Sequence, residues 1–115
     1  MRHPFPRRGQ VWLVSLDPTA GHEVRKTRPA VVVSDDLYNE YNWVVLVVPM
    51  TSHPTAEYDQ VLVSPGEGGL TVASVTLPDQ LRAVDRRRFR RQLGSLPADT
   101  MQRVDLSLKS VLGLS

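Results

Sequence analysis

The sequence predicts a mainly β protein with some α, a small barrel or curled sheet with one C-terminal helix packed on it. Three observations lead there: about six short β-branched and apolar runs, the Gly, Pro, Asp and Ser clusters between them, and one amphipathic segment at the end. Short strands leave an apolar sheet face, and a helix with one apolar stripe is the natural cover for it.

The elements follow in chain order. Residues 10–16 alternate imperfectly, with Val11, Leu13 and Val14 among polar neighbours, and read as a first strand. Asp17-Pro18-Thr19-Ala20-Gly21 is turn chemistry: Pro fixes its own backbone angle, Asp bonds its own chain and Gly permits positive φ. A polar stretch follows from 22 to 28. Residues 29–34 form a β-branched second strand, expected to be buried on both faces. Ser34-Asp35-Asp36 then caps a short helical turn holding Leu37 and Tyr38. The most apolar run, residues 43–48, is the third strand, and Pro49 is expected to close it.

Thr51-Ser52-His53-Pro54 opens a polar loop. Residues 58–63 read as a fourth strand ending at Ser64-Pro65-Gly66, and Gly68-Gly69 makes another turn. Residues 72–77 form a fifth strand and 81–85 a shorter sixth, with a helical turn at 86–88 and a connection through 92–95. The last segment is the clearest helix. Pro97 suits the first helical position, and Met101, Val104, Leu108, Val111 and Leu112 recur at spacings of three and four. Asp99 and Lys109 carry the signs the helix dipole favours at each end, and Gly113 is a natural C-cap. The stripe covers either the sheet or a dimer partner.

With 115 residues, no internal repeat and no linker-like stretch, the chain reads as one domain over residues 1–115. It has no cysteine, so neither disulfides nor thiolates contribute. The longest apolar run, residues 43–50, falls far short of the roughly 20 residues a membrane helix needs. The basic start, Met1-Arg2-His3-Pro4-Phe5-Pro6-Arg7-Arg8, lacks the apolar stretch of a secretory signal. A soluble, cytoplasmic protein with no membrane contact is the expectation. Net charge is only +2, yet Arg82, Arg86, Arg87, Arg88, Arg90 and Arg91 crowd one stretch. Such a cluster suits phosphate through forked, charged hydrogen bonds. It serves equally as a solvated surface, or as partners for Asp79 and Asp85.

The three histidines, His3, His22 and His53, have neither helical nor Cys/His spacing, so no metal site is expected. There is also no Walker loop, dinucleotide fingerprint or nucleophile elbow, and no cofactor is expected. Chemistry would rest on Arg, His, Thr, Glu and Asp. These types concentrate where apolar strands end. The first exit offers His22, Glu23, Arg25, Lys26 and Arg28; the third, Thr51, Ser52 and His53; the fifth, Asp79, Gln80 and Arg82. Three such exits gathered on one side of a small barrel would form a polar groove for one nucleic-acid strand.

Gly9-Gln10-Val11-Trp12-Leu13-Val14-Ser15-Leu16-Asp17-Pro18-Thr19-Ala20-Gly21-His22-Glu23, followed by Thr27-Arg28-Pro29-Ala30-Val31-Val32-Val33, resembles the opening of the MazF/PemK toxins of type II toxin–antitoxin pairs. Val48-Pro49-Met50-Thr51-Ser52 is similar to that family's third-strand ending, and Asp79-Gln80-Leu81-Arg82-Ala83-Val84-Asp85 to its Asp/Glu-Gln-x-Arg-x-x-Asp segment. The Pro-Thr-Ala-Gly-His-Glu run looks closest to the Kid/PemK branch. The resemblance implies an SH3-like barrel of CcdB/MazF type, homodimeric and paired with a MazE-like antitoxin. It also implies an mRNA interferase, a metal-independent and ribosome-independent endoribonuclease that cuts single-stranded RNA sequence-selectively. Its 2′-OH attack would leave a 2′,3′-cyclic phosphate and a 5′-OH.

Arg28 and Thr51 match the family's two central catalytic residues, and His22 a histidine in the PemK-branch site. An always-charged guanidinium stabilises the phosphorane, and a histidine near neutrality donates or accepts a proton. Glu23 and Asp79 are candidate bases. Pro18, Lys26, Ser52, His53, Gln80, Arg82, Arg86 and Arg87 are expected to hold RNA. The plainer readings are a salt bridge for Arg28, a turn cap for Thr51, an exposed loop position for His22, surface carboxylates for Glu23 and Asp79, and pairing with Asp85 for Gln80 and Arg82. The sequence departs from the PemK branch where that branch carries an arginine before Asp-Gln-x-Arg; Leu77 stands here, and the acid is unassigned. Two alternatives share the barrel. A CcdB-like gyrase poison acts through a Trp-Gly-Ile ending, whereas these residues read Gly113-Leu114-Ser115; a non-catalytic RNA-binding barrel would bind without cutting.

Overall fold

The computed structural model describes residues 4–16 and 27–114. Seven strands are β1 (Gln10–Ser15), β2 (Thr27–Val32), β3 (Val44–Ser52), β4 (Leu62–Val63), β5 (Ser74–Thr76), β6 (Arg82–Asp85) and β7 (Phe89–Ser95). Two helices are α1 (Asp36–Tyr41) and α2 (Ala98–Leu112). The strands run β4-β5-β3-β2-β1-β7, and β6 pairs with β3 beside β5. All pairings are antiparallel. The result is the expected β-rich curled sheet with a C-terminal helix. Among the described residues no helix is long and apolar enough to cross a membrane.

The sheet is buried on both faces, as the unbroken β-branched runs of β2 and β3 require. Val31, Val48 and Met50 point to one face, where they meet Val11, Val63, Leu96 and Val104 of α2. Ala30, Val32, Val45 and Val47 point to the other and meet Val14, Leu16 and Val84, flanked by Trp12 and Phe89. The two rings stand edge to face, centroids 5.6 Å apart. The period-two alternation of the strands divides these side chains cleanly between the faces. Met101, Val104 and Leu108 carry the α2 stripe onto the first core, while Val111 and Leu112 remain exposed. Gly113 ends the helix in the left-handed conformation, and Asp35 caps α1 through the Leu37 N–H, both as expected.

Three expectations are corrected. Pro49 does not close β3, which runs on to Ser52. Val33 donates to the Leu46 carbonyl, and alternation from that bonded pair puts the missing N–H of Pro49 on the side away from β2. There only its carbonyl is used, accepting from Leu77 at 2.9 Å. The fourth strand shrinks to two residues, because Asp59 adopts φ 66° and Gln60 donates back to Glu57, making a turn of residues 57–60. The seventh strand is an addition. The sequence Phe89-Arg90-Arg91-Gln92-Leu93-Gly94-Ser95 has no clean alternation because β7 pairs with β1 through two register shifts. Its charges suit an outer strand, which they protect from pairing with other chains.

Candidate functional site

On the sheet's β7-β1-β2-β3 surface lies a groove of about 410 Å³. Its floor carries Leu13, Arg28, Pro29, Thr51, Ser52, Arg91 and Leu93, and residues 69–72 form its wall. Extending the β2–β3 register from the Ala30–Pro49 pair brings Arg28 opposite Thr51. The Arg28 guanidinium donates through Nη1 to Thr51 Oγ1 at 3.4 Å, a long contact between half-buried side chains. Thr51 reaches this place only because β3 continues past Pro49. No described carboxylate lines the groove or pairs with Arg28. By register Arg28 and Thr51 share the sheet face of Val14, and Arg91 that of Leu13, so an anion held at Arg28 is met by one guanidinium and the Thr51 hydroxyl.

The wall owes its position to glycine. Gly69 has φ 77°, and a Cβ there would lie 2.0 Å from the Leu93 carbonyl oxygen. Gly94 makes the reciprocal approach, its Cβ position 2.7 Å from the Gly68 carbonyl carbon. Backbone meets backbone, which brings residues 69–72 against the β7 edge beside Arg91.

Of the residues singled out from sequence, Arg28, Thr51 and Ser52 come together here. Pro18, His22, Glu23, Arg25 and Lys26 lie outside the described residues. His53 is exposed just beyond the groove, its Nδ1 within 2.8 Å of the Thr55 carbonyl and 3.2 Å of the Thr55 N–H. The fifth-strand exit does not join the groove. β5 stops at Thr76, and Pro78–Gln80 forms a 3₁₀ turn packed against α2 and β3. Asp79 and Gln80 are exposed on that turn, and Arg82 sits on β6 opposite Val47.

Arg86 and Arg87 lie elsewhere too. The Arg86 guanidinium donates to the Asn39 carbonyl and stands 5.9 Å over the Phe5 ring. Arg87 grips Asp85 with Nε and Nη2, both at 3.0 Å, and its N–H adds a third bond at 2.8 Å. These bonds to the ionised carboxylate lower the Asp85 pKa from 3.8 to about 2 and raise that of Arg87. A depressed carboxylate stabilises the fold fully above its unfolded pKa and loses that contribution as pH falls through the folded one. The Asp85 contribution is therefore intact at neutral pH and fades between about pH 4 and 2. Arg87→Ala should move the Asp85 carboxyl titration, followed by NMR, back up toward 3.8; an unmoved midpoint would assign the shift to another cause.

Arg91, Leu13 and the 69–72 wall were not singled out from sequence. Arg91 was visible only as part of an arginine run, and Gly68-Gly69 only as a turn.

A family model described as PemK-like, MazF-like toxin of type II toxin–antitoxin system matches residues 7–112. The endoribonuclease MazF9 of Mycobacterium tuberculosis is 39% identical over 114 residues, covering 94% of this chain and 97% of that protein. A crystal structure of MazF from Deinococcus radiodurans superposes with a TM-score of 0.82 at 33% identity, over 97% of this chain and all of the other. A chain of the MazE–MazF structure from the same organism matches at 0.77 and 30% identity, over 98% of this chain and all of the other.

Proposed function

The chain belongs to the PemK-like, MazF-like toxin family of type II toxin–antitoxin systems, and from that premise we propose that it is an endoribonuclease toxin whose cutting centre is the groove around Arg28 and Thr51. The observation that carries the reading is the Arg28–Thr51 pairing across β2 and β3, in a groove whose described lining has no carboxylate to neutralise the guanidinium.

The substrate is single-stranded RNA, which lies extended and offers phosphates and splayed bases to a shallow groove. Its ribose 2′-oxygen attacks the adjacent phosphorus as its proton passes to a base. The P–O5′ bond breaks, and the leaving 5′-oxygen takes up a proton. The products are a 2′,3′-cyclic phosphate and a 5′-OH. Arg28 stabilises the extra negative charge on the five-coordinate phosphorus, and the Thr51 hydroxyl hydrogen-bonds phosphate or polarises the nucleophile. Glu23 and Asp79 are the candidate bases and His22 a candidate proton donor. Glu23 and His22 belong to the segment of the sequence leading into Arg28. Asp79 sits on the turn that packs on α2.

The proposed partner in the cell is a MazE-like antitoxin, as in the MazE–MazF structure from Deinococcus radiodurans, with an acidic segment over the positive groove. We place the protein in the cytoplasm with its RNA, as a homodimer that sets two grooves about one twofold axis.

A long single-stranded RNA incubated in EDTA, with the product ends mapped, tests this directly. Discrete cuts leaving 5′-OH ends are expected. Intact RNA bound with steep salt dependence would replace the enzyme with a binding barrel, and 5′-phosphate ends would overturn the 2′-OH route.

A further inference from the structure

A cavity of about 550 Å³ lies apart from the groove, between residues 4–7 and the β1-β7 pair. Trp12 and Phe89 supply its aromatic floor, Gln10 and Gln92 its amides, and Arg7 and Arg86 its cations. The register agrees with this lining: Gln92 stands opposite Trp12 and Phe89 opposite Val14, on the face of the second core. Both guanidinia stand over the Phe5 ring, at 4.5 Å for Arg7 and 5.9 Å for Arg86. Val14 and Ala30, both fully buried, occupy the positions between Trp12 and Arg28, and the cavity and the groove share no described lining residue. The two are separate sites.

The polar side chains of the cavity are mostly donors. Gln10 Oε1 is already filled, accepting from the Arg7 N–H at 2.8 Å and from Trp12 Nε1 at 2.9 Å. Arg7 meets Asp36 only at 3.7 Å, in a half-exposed contact. Arg86 donates to the Asn39 carbonyl, but its buried Nε–H has no partner and it forms no ion pair with a described carboxylate. A half-buried guanidinium short of acceptors favours a negative charge beside it. No described carboxylate lines the cavity to supply one. The lining thus matches an apolar body on the aromatic floor with an acceptor-only group next to it. An acidic peptide with one large apolar side chain carries both in neighbouring residues. A nucleobase matches less well: its edge carries donors too, and only Gln92 among the described lining side chains keeps an acceptor for them.

We propose that this cavity anchors the acidic segment of the antitoxin. One large apolar side chain of that segment lies on the Trp12–Phe89 pair, and an adjacent carboxylate meets Arg86 and Arg7. The anchor rests on the toxin–antitoxin reading above and adds a foothold apart from the cutting centre.

The test uses the whole chain, isotope-labelled for NMR, and the capped synthetic peptide Asp-Glu-Phe-Glu-Asp. The two tryptophans give separate indole N–H signals, and Trp43, exposed and outside the cavity, is the internal reference. The Trp12 signal should move saturably while that of Trp43 stays. Alanine in place of the peptide's Phe should weaken binding about tenfold. Arg7→Glu, a reversal at an exposed side chain, should weaken it about threefold to fivefold, and Arg90→Glu, outside the cavity, should leave it unchanged. Adenosine monophosphate that moves the Trp12 signal at lower concentration than the peptide would make this a nucleotide site and overturn the anchor. Movement confined to the Thr51 and Ser52 amides would overturn the anchor and keep the acidic partner; no movement anywhere would overturn both. RNA cleavage by the wild type, assayed separately, decides the nuclease reading whatever the NMR result.

Discussion

Replacing Arg28 with alanine should lower the rate of RNA cleavage in EDTA by about a thousandfold, with little change in melting temperature. The rate effect follows from where the charge is needed. Attack on phosphorus gathers negative charge on oxygens that carry less of it in the ground state, and a fixed cation there lowers the barrier selectively. Loss of one such donor costs roughly 10²–10³ in rate where it has been removed from preorganised sites. A permanently charged fork belongs at the upper end. The small stability effect follows from the absence of a described ion pair at Arg28: its β2 backbone keeps its place opposite Val14, and among the described residues only the 3.4 Å side-chain hydrogen bond to Thr51 is lost. Arg28→Lys keeps the charge but not the fork and should fall between. Initial rates beside a circular-dichroism melt give both readings. A variant within tenfold of wild type would remove Arg28 from the centre.

The largest stability effect should come from Gly69→Ala. The added Cβ would meet the Leu93 carbonyl oxygen at 2.0 Å, and both sides of that contact are backbone, so no side chain can swing away. The residue is also fixed at φ 77°, where an L side chain is strained. The two costs together should exceed about 3 kcal/mol, or a fall of roughly 10 °C or more in Tm for a chain of this size. Cleavage should fall as well, since Gly69 begins the groove wall and Leu93 lies in the floor. Gly66→Ala is the matched control. Gly66 also has positive φ, but nothing lies within 4 Å of its Cβ position, so only about 1 kcal/mol of backbone strain is expected. Paired denaturant titrations separate the two, and equal losses would mean the close approach contributes nothing.

What was legible in the sequence is what local chemistry controls. β1, β2, α1 and α2 follow from periodicity, β-branching and caps, and the two-faced burial of β2 and β3 was readable in their unbroken apolar runs. Arg28 and Thr51 were legible through a resemblance, and their meeting requires only that two adjacent antiparallel strands keep register. What failed depended on partners far along the chain. Pro49 ends a strand by its own chemistry, yet here its missing N–H falls on the side away from β2. β7 carries the composition of a loop, because its bulges break alternation and its outer position tolerates charge. One of those bulges separates Phe89 from Arg91, so the place of Arg91 in the groove was hidden inside a run that looked uniform. The gathering of three strand exits failed for Asp79, Gln80 and Arg82 because β5 stops short and turns toward α2.

The central claim is that Arg28 and Thr51 form one centre for cutting RNA. A double-mutant cycle in single-turnover cleavage tests it most directly, with Arg28→Ala, Thr51→Ala and the double variant measured on one RNA in EDTA. Residues that act as a unit are not additive. Thr51→Ala alone should cost about a hundredfold, and the double variant should be no more than a few fold slower than Arg28→Ala. Strictly multiplicative losses, or a Thr51→Ala enzyme as fast as the wild type, would contradict a shared centre.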